Sequence, residues 1–108
     1  MSDVRQISPK ELNQRMASGE ELFLLDIREE EEREICHIGG ELIPMGTIEQ
    51  SLDRIPRDLT VVVYCRSGGR STRLIEHLQG VHGFTNLLNL QGGVLRWSDD
   101  VDSSVTKY

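Results

Sequence analysis

One cysteine and two arginines occur together in the segment CRSGGRS, residues 65 to 71. A cysteine is a strong nucleophile only as the thiolate, which nearby positive charges and backbone N–H groups favour. Arg66 and Arg70 supply positive charge, and the glycines permit the positive φ angles that a tight ring of amides requires. We therefore predict that Cys65 is a reactive thiolate in a loop that holds negative charge.

The residues after Cys65 are predicted to bind an anionic substrate. Both arginines would attract and neutralise it. Ser67 would donate a hydrogen bond to it, and Ser71 has the alternative role of capping a helix. The predicted substrate-binding residues are Arg66, Ser67, Gly68, Gly69, Arg70 and Ser71. The alternative for Cys65 itself is a small, inert hydrophobic residue buried at a strand end.

The elements that position this loop are short apolar runs alternating with helical patterns. Predicted strands cover TVVVYC (60–65), LFLLDI (22–27), TNLLNL (85–90) and, as strand or loop, ELIP (41–44). Continuous apolar runs are typical of strands buried on both faces. The predicted fold class is α/β, with one domain over residues 1–108 and a central parallel sheet of about five short strands with helices on both faces. Cys65 would then follow a central strand at its carboxyl end, where ligand sites form.

Helix signals separate these strands. Predicted helices cover Ser8 to about Ala17, the acidic run 28–34, the face Ile48–Leu52–Ile55, Ser71 to Gly80, and a last short helix around Trp97. The acidic run reads as a solvated helix face. The end of the chain, about residues 98–108, is expected to be a polar tail along the surface.

Composition excludes several classes of protein. A net charge of −6 and the absence of clustered cations do not suit a nucleic-acid backbone. No apolar stretch approaches the roughly 20 residues of a membrane helix, and the N-terminus lacks a secretory pattern, so a cytoplasmic location is expected. Two cysteines without a Cys-x-x-Cys pair predict neither a disulfide framework nor a zinc site.

Three ordered segments carry a resemblance to a known family. CRSGGRS, LLDIREEEEREICHIGGELIP (24–44) and NLQGGVLRW (89–97) resemble the signatures of the rhodanese-like sulfurtransferases. The closing WSDDVDSSVTKY further resembles the tail of rhodanese domains fused to adenylating enzymes, which activate ubiquitin-like sulfur carriers in molybdopterin and thiamine biosynthesis. Cys36 departs from the pattern, because the signature most often has glycine there.

The resemblance implies a sulfur-transfer mechanism. Cys65 would take a sulfane sulfur from thiosulfate or from a cysteine-desulfurase persulfide and carry it as a persulfide. The acceptor would be cyanide in vitro, and in the cell a thiol or the activated C-terminal glycine of a sulfur-carrier protein, with an adenylating enzyme as a further partner. The resemblance implies no metal and no organic cofactor.

Two alternatives to sulfur transfer remain open at the level of sequence. Cysteine-based phosphatases and arsenate reductases share this fold, but their loop places five residues between cysteine and arginine. Here four residues separate Cys65 from Arg70, and the smaller ring suits a single sulfur better than a phosphate. A non-catalytic interaction module is the second alternative, although such domains commonly lose the cysteine that this chain keeps.

Other chemically active residues receive structural interpretations. Asp26 and Arg28 are predicted to form an internal ion pair at a strand end rather than a catalytic pair. The histidines His37, His77 and His82 are left out of the catalytic set, and the last two show no metal spacing with other candidate ligands. Cys36 is predicted to be an inert thiol, the alternative being a second thiol that accepts sulfur or forms a disulfide with Cys65.

Overall fold

The computed structural model describes residues 3–108 and alternates strands with helices. The strands are β1 (Arg5–Ile7), β2 (Phe23–Asp26), β3 (Glu41–Leu42), β4 (Val61–Tyr64) and β5 (Leu87–Leu90). The α-helices are α1 (Pro9–Ala17), α2 (Glu30–Ile35), α3 (Gly69–His82) and α4 (Gly93–Asp100). Two 3-10 segments, Met45–Gln50 and Leu52–Arg54, precede β4. The predicted α/β class is confirmed.

All strand pairs are parallel, and the sheet has the order β1-β5-β4-β2-β3. The central strand is β4, which pairs with β2 on one side and with β5 on the other. Every residue of β4 is buried, because helices cover both faces of the sheet and its apolar, largely β-branched side chains pack on each. The carboxyl end of β4 therefore lies in the middle of the row formed by the carboxyl ends of the five strands.

Alternate residues of β4 contribute to different cores, as the side-chain period of a strand requires. The first core joins Val61 and Val63 to the α3 residues Leu74, Ile75 and Leu78. The second core joins Val62 and Tyr64 to Leu12 of α1 and to Val94 and Trp97 of α4. No helix formed by residues 3–108 combines the length and the apolar character that a membrane crossing demands.

The structure differs from the sequence prediction in several elements. Strand β1 was not predicted from its residues; it is short, and of its side chains only Ile7 is buried. The helix predicted through Ile48 and Ile55 is instead a pair of 3-10 segments that meet at Ser51. There the Ser51 hydroxyl donates to the Thr47 carbonyl, a side-chain bond of the kind that competes with regular helix.

Helix α3 is longer at both ends than predicted. It begins at Gly69 instead of Ser71, because Gly68 adopts the left-handed conformation and turns the chain into the helix. It continues through Gly80 and ends before Gly83, which has a φ of 70° and donates its N–H to the Leu78 carbonyl.

Candidate active site

Cys65 lies directly after β4, at the carboxyl end of the central strand, as predicted. Its side chain belongs to the first core, and the residue is only 1% exposed. The first turn of α4 fixes the backbone on its other side. There the Val94 N–H donates to the Cys65 carbonyl and the Leu95 N–H to the Arg66 carbonyl, both at 3.1 Å. The cysteine is thus held between a buried strand and the start of a helix.

A close backbone approach makes this contact with α4 possible. Gly92 and Gly93 have φ angles of 76° and 60°, which favour glycine. A Cβ atom on Gly93 would lie 2.5 Å from the Cys65 carbonyl oxygen and would also overlap the Arg66 carbonyl group. The second glycine of NLQGGVLRW is therefore a packing requirement of the active-site loop.

The sulfur atom of Cys65 accepts hydrogen bonds from the start of α3. The Gly68 N–H donates to Sγ at 3.1 Å, and Gly68 has a φ of 101°, which allows its amide to point inward. Gly69 does not share this conformation, because it is the first residue of α3 and its φ is not positive. The prediction that both glycines supply positive φ is correct only for Gly68. The positive end of a 14-residue helix then faces the thiol.

Ser71 connects the thiol to a buried polar chain. Its hydroxyl oxygen is 3.4 Å from the sulfur of Cys65, and the same hydroxyl donates a very short bond to the side-chain oxygen of Asn89. The Asn89 side-chain amide donates to Gln6 at 2.8 Å, which fixes the orientation of its oxygen. Gly68 is the N-cap, so the predicted capping role of Ser71 is wrong.

The single hydroxyl proton of Ser71 has three acceptors within reach, namely the side-chain oxygen of Asn89, the Gly68 carbonyl at 3.2 Å and the sulfur of Cys65. When Cys65 is a thiol, its S–H donates to the hydroxyl oxygen while the hydroxyl proton stays on Asn89. When Cys65 is a thiolate, the hydroxyl can rotate and donate to the sulfur. The Ser71 hydroxyl can therefore accept a hydrogen bond from the Cys65 thiol and donate one to the Cys65 thiolate.

The surroundings of Cys65 lower the pKa of its thiol. Burial alone would raise that pKa, because it penalises the charged form. The Ser71 hydroxyl and the backbone N–H groups of Ser71, Gly68 and Ser67 act in the opposite direction, and their combined effect prevails. The result is a buried thiol with more thiolate at neutral pH than an ordinary cysteine, which is the property a nucleophile needs.

We predict that Ser71→Ala raises the pKa of the Cys65 thiol, since the variant removes one of the groups that lower it. The pH midpoint of Cys65 alkylation by iodoacetamide should rise, and the rate at pH 7 should fall about tenfold for each unit of that rise. The matched control is Ser67→Ala, which keeps its backbone N–H group and should retain the wild-type midpoint. Equal midpoints for Ser71→Ala and wild type would contradict the role given to the hydroxyl.

The two arginines of the loop are paired with distant parts of the chain. Arg70 forms a bidentate ion pair with Glu32 of α2, with N–O distances of 2.9 and 2.7 Å. Hydrogen bonding from Arg70 lowers the pKa of Glu32 to about 2. Arg66 donates a very short hydrogen bond to the backbone carbonyl of Tyr108, and its guanidinium lies 5.1 Å from the centre of the Tyr108 ring.

The predicted ion pair between Asp26 and Arg28 is confirmed. Both side chains are completely buried, and the guanidinium binds both carboxylate oxygens at 2.9 Å. Arg28 also donates to the Cys36 carbonyl at 2.8 Å and to the Tyr108 hydroxyl at 3.0 Å. Burial opposes the charge of Arg28, but the bonds to Asp26 and Tyr108 raise the pKa of its guanidinium. The pair anchors the end of β2 to the segments around it.

The acidic run and the C-terminal residues are less solvated than predicted. Glu30 and Glu31 are exposed, but Arg28 is buried and Glu32 is held by Arg70. The Tyr108 hydroxyl donates to Glu32 at 2.8 Å, so the last residue packs over the loop instead of lying free on the surface. Helix α4 also continues to Asp100, within the segment predicted as tail.

The remaining thiol and histidines lie outside this site. Cys36 is a free, partly buried thiol, and its sulfur is 3.9 Å from the Arg28 guanidinium. The ring of His37 accepts a local hydrogen bond from the Gly39 N–H at 3.0 Å, which fits a structural role. The sequence indicated no further ligand near His77 and His82, but the structure places both rings against Glu49. The spacing of His77 and His82 along the chain could not predict this cluster, because its third member, Glu49, belongs to a different element.

Several residues that contact the loop were not singled out for this role by sequence, among them Glu32, Asn89, Gly93 and Tyr108. Asn89 carried a usable signal, because a polar side chain inside the apolar run TNLLNL, predicted as a strand, must find partners when it is buried. In the structure Asn89 is 3% exposed. Glu32 carried none, since it is one glutamate among several in the acidic run.

Comparison with known proteins finds that the chain is similar to rhodanese-like domains and to a protein named as a sulfurtransferase. The profile of a family described as "Rhodanese-like domain" matches residues 8–100. The chain is 38% identical over 96 residues to a protein named "Sulfurtransferase" from Allochromatium vinosum, covering 88% of this chain and 89% of that protein. A crystal structure of a rhodanese-like domain protein from Staphylococcus aureus has a TM-score of 0.81 at 27% identity, covering 91% of this chain and 95% of its own.

A second relative is much longer than this chain. The chain is 35% identical over 105 residues to "Probable adenylyltransferase/sulfurtransferase MoeZ" from Mycobacterium tuberculosis. The match covers 94% of this chain but only 26% of that protein. The chain thus spans about a quarter of that relative's length.

Proposed function

This chain belongs to the rhodanese-like domain family, and we propose that it is a sulfurtransferase that carries sulfane sulfur as a persulfide on Cys65. The observation that carries the proposal is the state of this thiol. It is buried, its pKa is lowered, and its sulfur faces backbone N–H groups at the start of α3. Such a site stabilises one compact negative charge, which is what the terminal sulfur of a persulfide bears.

The reaction takes place in two displacements at sulfur. The Cys65 thiolate attacks the outer sulfur of thiosulfate, a new S–S bond forms, and the bond to the SO₃ group breaks as sulfite leaves with the electron pair. With a protein persulfide as donor, the leaving group is the donor's thiolate. An acceptor such as cyanide or a thiolate then attacks the terminal sulfur, and the Cys65 thiolate leaves. Each displacement conserves charge and needs no external oxidant or reductant.

The residues of the loop have separate parts in this reaction. The backbone N–H groups of Ser67, Gly68 and Ser71 hold the charge on sulfur. Arg66 and Arg70 attract the anionic donor, with Ser67 donating a further hydrogen bond from its exposed position, and Gly69 continues the loop into α3.

The pairing of Arg70 favours a protein donor over free thiosulfate. Arg70 is already paired with the carboxylate of Glu32, so within the loop a small dianion meets the full positive charge of Arg66 alone, which the bond to the Tyr108 carbonyl does not balance. A cysteine-desulfurase persulfide can add contacts of its own protein surface. The name of the M. tuberculosis relative joins an adenylyltransferase to a sulfurtransferase, which supports an adenylating enzyme as a partner of this chain. The ubiquitin-like sulfur carrier that such an enzyme activates would be the acceptor of the sulfur.

Intact-mass measurement tests the proposal most directly. After incubation with a cysteine-desulfurase persulfide or with thiosulfate, the wild-type chain should gain one sulfur, about 32 Da, and lose it when a reductant is added. The Cys65→Ser variant should gain nothing from either donor. Its matched control is Cys36→Ser, which keeps the nucleophile and should gain sulfur as the wild type does.

Two results would contradict the proposal. A gain that persists in Cys65→Ser but disappears in Cys36→Ser would assign the carrier to the other thiol. No gain with either donor, in a chain whose Cys65 is shown to be reduced, would favour the non-catalytic interaction module.

A further inference from the structure

A second group of chemically active side chains lies at the far end of α3. The Cys65 loop leads into the first residue of this helix, whereas His77 and His82 belong to its last two turns. At about 1.5 Å per residue, His82 is roughly 20 Å along the helix axis from Gly69. Glu49 belongs to the first 3-10 segment and reaches the same place from another part of the chain. This group therefore lies too far from Cys65 to contact a sulfur atom carried there.

The polar side-chain atoms of Glu49, His77 and His82 lie close together. The Nε2 atom of His77 is 2.5 Å from one carboxylate oxygen of Glu49, and the Nε2 atom of His82 is 2.9 Å from the other. One ligand atom from each residue falls within 4.8 Å of the others. The centres of the two rings are 5.4 Å apart, and the ring planes meet at an angle of 79°.

A metal ion can enter this cluster after a small rearrangement of the side chains. The ligands of a tetrahedral Zn²⁺ at 2.0–2.1 Å are about 3.4 Å apart, so the His77–Glu49 pair must open from 2.5 Å, and any pair near 4.8 Å must close, by about an ångström. The side chains of His77 and Glu49 are 43% and 51% exposed, and that of His82 is 23% exposed, so such a movement meets little packing. Moving the ring proton from Nε2 to Nδ1 frees the Nε2 lone pair of a neutral histidine without any loss of a proton.

The electrostatic surroundings also favour a cation. His82 is the last residue of α3, and the carbonyl end of a helix carries partial negative charge. Glu49 adds the negative charge of its carboxylate. The Arg57 guanidinium opposes this, and it donates to the His82 backbone carbonyl at 2.9 Å.

We propose that Glu49, His77 and His82 form a binding site for a divalent transition-metal ion. Zn²⁺ is the ion that these ligands fit. Two imidazoles and one carboxylate are a ligand set that Zn²⁺ uses, and water completes the coordination shell. Bound metal would connect the 3-10 segment to α3 across 28 and 33 residues of sequence, so it stabilises the folded chain.

The test uses residues 1–108 with the substitutions Cys36→Ser and Cys65→Ser, which remove the thiols, since thiolates themselves bind Zn²⁺. Calorimetric titration with Zn²⁺ should show one ion per chain. At a hundredfold excess over Kd, the melting temperature should rise by about 5 °C or more. Adding His82→Gln should weaken binding at least tenfold, a loss of about 1.4 kcal/mol. Adding His37→Gln, the matched control at the third histidine, should change nothing.

The proposal is overturned if Zn²⁺ produces neither heat nor a change in melting temperature. It is also overturned if His82→Gln and His37→Gln bind with equal affinity. A second measurement does not depend on any variant folding: on addition of Zn²⁺ to thiol-blocked wild type, the imidazole NMR signals of His77 and His82 should shift while that of His37 stays fixed. Because Cys65 is absent or blocked throughout, failure here leaves the proposed sulfurtransferase activity untouched.

Discussion

Replacing Gly93 with alanine is expected to lower the free energy of unfolding by about 3 kcal/mol or more and to displace the loop that holds Cys65. A Cβ atom at this position would overlap the backbone of Cys65 and Arg66, which no change of side-chain rotamer can relieve. The residue also has a φ of 60°, which alanine adopts only at a cost. Relief of the overlap requires α4 to move away from the two carbonyls that it binds.

Urea unfolding and the persulfide mass gain together measure this effect. The matched control is Gly80→Ala, because Gly80 is exposed inside α3 and a Cβ there meets nothing within 4 Å. That variant should be more stable than wild type by about 0.5–1 kcal/mol and should accept sulfur normally. If Gly93→Ala is as stable as Gly80→Ala and gains sulfur equally well, the close approach of α4 is not what holds the loop.

The central part of the sheet was predictable because its signal is strong and local. The run TVVVYC covers a strand buried on both faces, and β4 occupies Val61–Tyr64 within it. Strand β1 was not predictable in the same way. Two of its three residues are exposed, and its register is set by pairing with β5, more than eighty residues away. An edge strand of this kind is defined by its neighbour rather than by its own residues.

The active site shows the same division between local and distant determinants. The place of Cys65 and the inward turn at Gly68 follow from the residues of CRSGGRS and from the strand before it. The partners of its arginines do not, because Glu32 and Tyr108 approach from 38 and 42 residues away. A cation next to a thiol in sequence predicts an anion site, but only the fold shows which of the chain's own groups already pair with that cation.

The largest loss of stability is expected where the buried ion pair is broken on one side. Arg28→Met should lower the free energy of unfolding by about 3–5 kcal/mol, since it leaves the completely buried carboxylate of Asp26 without its main partner. Arg33, at 3.4 Å from the same carboxylate, offers only partial compensation from a more exposed position. Urea unfolding at pH 7 measures the loss, with Arg73→Met on the exposed side of α3 as the control for removing a surface arginine.

Replacing both Asp26 and Arg28 tests whether their ion pair has a structural or a catalytic role. The variant Asp26→Leu/Arg28→Met removes both charges, so it should be more stable than Arg28→Met alone, with a coupling free energy of about 2 kcal/mol between the two positions. Neither side chain of the pair touches the sulfur of Cys65, whose hydrogen bonds come from Gly68 and Ser71. The double variant should therefore still gain one sulfur from a persulfide donor wherever it is folded. A folded double variant that no longer accepts sulfur would show that the charge of the pair, and not merely the anchoring of β2, is needed for the chemistry at Cys65.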